Sequence, residues 1–122
     1  MRKQYYFRES DRGLLAWDVD RLVELSRAFP RKRILLSEIS ELDQPWGDNG
    51  GTSWRSIIEH MQLISEADLS YPIILAANGD VMDGRHRIAK AALEGRSDIE
   101  AVQFETDPEP DHVGIEPDDL PY

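Results

Sequence analysis

The chain has 122 residues and an apolar share of 40%, which suits one folded domain and is too short for two. It has no cysteine, which excludes disulfides, thiol nucleophiles and thiolate zinc sites. Its formal charge of -10 opposes the phosphate attraction on which nucleic-acid affinity rests.

No apolar run approaches the roughly 20 residues of a membrane span, and the start, MRKQYYFRES, lacks the apolar core of a signal peptide. A cytoplasmic protein is therefore expected. The aromatic cluster of Tyr5, Tyr6, Phe7 and Trp17 packs either on the core or on another subunit, so a homodimer is one option. In WDVDRLVELSRAFP, residues Val19, Leu22, Val23, Ser26 and Phe29 share one helical face, with Asp18 as N-cap and Pro30 as stop. Residues 1–32 thus read as an N-terminal helical extension. The basic triplet Arg31-Lys32-Arg33 reads as solvated charge at an element boundary.

Ile34 to Leu36 is a short apolar run that suits a buried strand. DQPWGDNGGTS, with three glycines and a proline, predicts a flexible loop from Asp43 to Ser53 that carries Trp46 as its one bulky group. SWRSIIEHMQLISEADLS then places Trp54, Ile57, Ile58, Met61, Ile64 and Ala67 at helical spacing, capped by Thr52 or Ser53, and these are expected in the core. His60 stands at the flank of that stripe.

Pro72 to Leu75 predicts a strand, Asn78-Gly79 a tight hairpin, and Val81-Met82 the return strand. A helix follows from about Arg85 to Glu94, with Ile88, Ala91 and Ala92 facing inward and Gly95 in the left-handed position after its end. Ile99 to Phe104 alternates and is the last strand. The order strand, helix, hairpin, helix, strand implies an α+β fold, a small mixed β-sheet with packed helices. The tail from Glu105 to Tyr122 holds seven acids, four prolines and no Lys or Arg, leaving a charge of -3 on residues 1–104. It reads as a disordered or loosely docked extension with a solvated His112.

One short stretch carries most of the chemistry. A helix N-terminus bears about half a positive charge and favours anions, yet Arg85, His86 and Arg87 crowd the expected first turn. Their charge can be compensated from within, by Asp80 and Asp83, or by a ligand phosphate. A glycine that admits the backbone, helix-end N–H groups and forked guanidinium donors together make an anion cradle.

The run YPIILAANGDVMDGRHRIAKAALEGRSDIEAVQF resembles the core of the ParB N-terminal domain and sulfiredoxin superfamily, in which a hairpin delivers a glycine-led basic motif to a helix start. With RILLSEISELD as preceding strand and SWRSIIEHMQLISEADLS as intervening helix, the similarity covers residues 33–104, followed by the acidic Pro-rich tail 105–122. It implies that Gly84, His86 and Arg87 hold nucleotide phosphates, and Arg85 joins them as a binding candidate by its charge on the same turn. Sulfiredoxins carry a reactive cysteine after the glycine; here that residue is Arg85, so sulfinic acid repair is excluded. ParB has a glutamate and two arginines there and continues into a helix-turn-helix region, where the sequence here continues into the acidic tail. The free serine kinases of the superfamily carry Asp-Gly-His-His-Arg, which Asp83, Gly84, His86 and Arg87 match, with Arg85 the exception.

Two functions follow from this resemblance. One is an ATP- or ADP-dependent phosphotransferase acting on a small hydroxyl-bearing molecule, with Glu38 or Glu41 as base and Asp80 or Asp83 orienting the cations or sharing a magnesium ion with the phosphates. Asp83 thus stands among both the catalytic and the metal candidates. The other is a regulatory module that binds ATP, ADP or CTP without catalysis, and changes a partner surface. A nuclease is a weaker third reading, because the acidic balance and scattered histidines oppose it. A nucleic-acid partner is disfavoured on the same grounds, and no membrane is expected.

Overall fold

In the computed structural model, which describes residues 3–44 and 53–122, the chain forms a small α+β fold. Among the described residues there are three α-helices and two sheets, of three and four strands. The chain divides into two compact units. One comprises Met1–Pro30, Ile74–Asp83 and Gln103–Tyr122; the other comprises Arg31–Ile73 and Gly84–Val102. None of the described helices is long and apolar enough to cross a membrane.

The first unit begins with an element the sequence did not signal. Residues read as part of a helical extension form an antiparallel hairpin, β1 (Tyr5–Ser10) with β2 (Gly13–Asp18), before α1 (Val19–Ser26) starts at the expected cap. Asp18 accepts the Asp20 N–H there, so one orphan donor of the first turn is satisfied. Leu15, Ala16, Trp17 and Leu22 are buried, whereas Val23, expected on the inner face, is exposed. Phe29 is half-buried and meets Phe104 edge-on at 5.0 Å. The hairpin of β4 (Ile73–Leu75) and β5 (Val81–Asp83) turns at Asn78-Gly79, where Gly79 takes a φ of 94° and its N–H bonds to the Ala76 carbonyl.

The acidic tail is docked and carries regular structure, in contrast to the disordered or loosely held segment its composition suggests. Residues His112–Val113 form β7 and pair with β2, and Leu120 is buried. Its carboxylates and carbonyls have specific partners. Asp107 accepts from Arg8 Nη1 at 3.0 Å and from the Ala77 N–H at 2.8 Å, and the Pro108 carbonyl accepts from Trp17 Nε1 at 2.8 Å. Asp111 accepts from Arg21 and from the Asp18 N–H. His112, expected in water, is half-buried and meets Tyr5 edge-on. Composition measures only the apolar area a segment brings; here polar groups supply the anchorage.

The second unit holds β3 (Lys32–Leu35), α2 (Trp54–Glu66), α3 (Arg85–Leu93) and all but the last residue of β6 (Asp98–Gln103). The β3–β6 pairing is antiparallel and brings cations to acids: Arg31 pairs with Glu100 and Arg33 with Asp98. The basic triplet is exposed, as expected, and its two arginines also meet acidic partners at the solvent-facing side of this strand pair. Among the described residues of this unit, Leu36, Ile39, Ile73, Ile88, Ala91, Ile99, Ala101 and Val102 are the buried apolar ones.

Helix α2 departs most from expectation. Ser53 caps it, as expected, but none of its residues is fully buried, and Trp54, Ile58 and Met61 are 82%, 62% and 62% exposed. Ile57, His60 and Ile64 are half-buried. Helical spacing identifies an apolar stripe but not how much of its width a neighbour covers. In α3, Ile88 and Ala91 are buried as expected while Ala92 is exposed, and Gly95 takes the left-handed conformation with φ 76°. The expected loop with Trp46 lies for the most part outside the described residues.

Candidate functional site at the start of α3

Gly84 is the N-cap of α3 and takes a φ of 113°, a region L side chains rarely adopt. A Cβ there would stand 2.5 Å from Ile73 Cγ2 and 3.2 Å from Arg87 Nη2. Glycine is therefore demanded twice, by the backbone and by the space. The second distance also locates the Arg87 guanidinium: it folds back over the helix start instead of extending away along the helix.

The first intrahelical bond runs from the Ile88 N–H to the Gly84 carbonyl, so the N–H groups of residues 85 to 87 precede it. The first turn of α3 contains no acidic residue, and its N-cap glycine brings no side chain of its own to cap it. Arg85 is exposed and has no ion pair among the described residues; His86 and Arg87 are half-buried. Gly84, Arg85, His86 and Arg87 are thus grouped in one turn, as the sequence suggested, and this turn concentrates positive charge where the helix dipole already supplies it.

A second histidine joins the turn. His60, from the inner flank of α2, places Nδ1 3.1 Å from His86 Nε2, with the ring centroids 5.3 Å apart. Helical periodicity put His60 beside the apolar stripe; only the register of α2 against α3 could identify its neighbour. That register is pinned by Lys90, whose ammonium donates to the Ser65 and Ala67 carbonyls at 2.9 and 2.8 Å and so satisfies carbonyls at the end of α2. Nearby, Asp68 is held below the usual carboxyl range, chiefly by the Ser70 hydroxyl and N–H and more weakly by the charges of Lys90 and Arg87. A groove of about 410 Å³ lies at the other end of α3, between Glu66–Leu69 and Lys90, Glu94 and Arg96, and does not include the basic turn.

The acidic candidates are more scattered. Glu38 is exposed on the 3-10 turn Leu36–Glu38 after β3, with no ion pair among the described residues. Glu41 is half-buried on the next 3-10 turn, Ser40–Asp43, and accepts from Ser40 Oγ at 3.4 Å. Asp80 sits in the β4–β5 turn, where its carboxylate accepts from Asn78 Nδ2 and its N–H donates to Asn78 Oδ1. Asp83 ends β5; it and Asp80 belong to the first unit, the basic turn to the second. Among the described residues no group of three or more His, Asp or Glu converges as a metal cage. No family model matches the chain, and comparison with curated proteins and with solved structures finds no match.

Proposed function

We propose that the chain binds nucleotide phosphates at the start of α3 and transfers a phosphoryl group to a small hydroxyl-bearing acceptor. One observation carries the reading: the Arg87 guanidinium lies against Gly84, so a forked cation, a helix N-terminus and a position without a side chain meet at one point. Arg85 and His86 extend the positive field. The likeness of Asp83, Gly84, His86 and Arg87 to the free serine kinase motif supports the same reading. ATP, ADP and CTP are the candidate nucleotides.

Phosphoryl transfer passes through a loose transition state and needs positioning and charge neutralisation more than covalent help. Arg85, His86 and Arg87 supply the neutralisation in this reading. Glu38 or Glu41 takes the proton of the acceptor hydroxyl. A Mg²⁺ ion brought in with the nucleotide would take phosphate oxygens and one or two carboxylates, its usual protein share. When bound, that ion would neutralise phosphate charge.

The test is thermal unfolding with ATP, ADP or CTP and Mg²⁺. A ligand that binds only the folded chain at 100 times its Kd adds about 2.7 kcal/mol of stability. The increase should vanish in Arg87→Ala while that variant unfolds cooperatively, and nucleotide consumption should appear only with an acceptor such as serine. An Arg87→Ala chain that binds nucleotide as the unmodified chain does would overturn the assignment.

A second reading, the nucleotide-responsive module without catalysis, is favoured by the outward face of α2. Trp54, Ile58 and Met61 form an exposed apolar strip there. Arg55 near its beginning and Glu66 at its end lie on the same flank, so two copies packed antiparallel would set each Arg55 near the other's Glu66. The partner in this reading is a second copy of the chain.

A further inference from the structure

The two imidazoles at the helix junction suggest a second ligand chemistry, independent of phosphate. His60 Nδ1 and His86 Nε2 stand 3.1 Å apart, each half-buried and each on a different helix. Two arrangements satisfy such a pair: one nitrogen donates a proton to the other, or both present lone pairs to a metal ion. Imidazole nitrogens bind Zn²⁺ at about 2.0–2.1 Å, and two such bonds spanning the observed separation enclose an angle of about 100°, near the tetrahedral value. The rings are tilted by 41°, so neither stacks face to face on the other and blocks the space between the nitrogens.

We propose that His60 and His86 form a two-nitrogen clamp for a divalent late-transition ion, with Zn²⁺ as the reference case. Nitrogen donors select such ions over Mg²⁺ and Ca²⁺, which take oxygen. The spacing is preset by the scaffold: Lys90 ties α3 to the last carbonyls of α2, and Gly84 against Ile73 sets where α3 begins. Arg85 and Arg87 flank His86 and oppose a bare dication, so water or an anion on the two remaining positions completes the site. The clamp rests on the His60–His86 geometry alone and stands whether or not the basic turn holds a nucleotide.

The experiment is calorimetric titration of the untagged full chain with ZnCl₂ in phosphate- and nucleotide-free buffer. One Zn²⁺ per chain is expected, with excess Mg²⁺ unable to compete. His60→Gln and His86→Gln should each weaken binding more than about tenfold, since loss of even an outer-shell partner costs that much, and His112→Gln should leave it unchanged. Long-range ¹H–¹⁵N spectra of the unmodified chain give a readout that needs no variant: Zn²⁺ should shift Nδ1 of His60 and Nε2 of His86 together. Absence of saturable binding, binding that survives either substitution, or Zn²⁺ shifts confined to other groups would overturn the clamp.

Discussion

The branch methyl of Ile73 occupies the space that a side chain on Gly84 would need, 2.5 Å from its ideal Cβ. Gly84→Ala therefore combines left-handed backbone strain of about 1–2 kcal/mol with overpacking of about 1–3 kcal/mol. A loss of about 3 kcal/mol in urea unfolding is expected. Gly79 is the internal control: its φ of 94° is also left-handed, but nothing lies within 4 Å of its Cβ position. Gly79→Ala should cost only the strain, about 1–2 kcal/mol. Equal losses in the two variants would show that the Ile73 contact carries no energy.

Asp107 holds the tail through two bonds, one to Arg8 and one to the Ala77 N–H. The Arg8 guanidinium also lies over the Trp17 ring, 5.0 Å from its centroid, and Arg8 Nε is buried with no hydrogen-bond partner among the described residues. Removing the carboxylate leaves a partly buried cation short of its acceptor. Asp107→Ala should destabilise by about 2 kcal/mol, within the range for bonds to charged groups, and should increase amide exchange in residues 105–122. An unchanged exchange rate would contradict the docking role of Asp107.

Asp18 couples helix capping to pH. Burial by itself pushes its carboxyl up, but the bond from Lys3 and the N–H of Asp20 outweigh this, so the group is lowered below its ordinary value. A lowered carboxyl contributes stability that is fully present above the unfolded value of about 3.9 and is lost as pH falls through the folded value. Asp18→Ala should cost about 1 kcal/mol at pH 7. The gap between the two chains should narrow below about pH 4; a gap that is constant down to pH 2 would argue against the ionic part of the cap.

The exposed strip of α2 predicts self-association. Sedimentation of the unmodified chain should show a concentration-dependent dimer, and Trp54→Ser should weaken it by about tenfold or more, as expected for a central aromatic anchor. Arg55→Glu should weaken the dimer, and adding Glu66→Arg should restore it. A chain that stays monomeric at high concentration would remove the support for the second functional reading.

The start of α3 was legible from residues 83 to 87 because its causes are local: a glycine that tolerates positive φ, followed at once by cations on the first turn. The same holds for the Asp18 and Ser53 caps, the Asn78-Gly79 turn and Gly95, each set by bonds between near neighbours in the chain. The α+β class could also be read, since apolar periodicity records element type directly.

Tertiary structure alone decided which breadth of α2 is covered, that His60 meets His86 across 26 residues of chain, and that Asp107 and Pro108 fasten the tail to Arg8 and Trp17. These depend on where distant segments come to rest. Periodicity tells a helix which of its faces is apolar, and composition tells a tail how little apolar area it brings. Neither encodes the distance between two side chains whose separation is set by the packing of other elements.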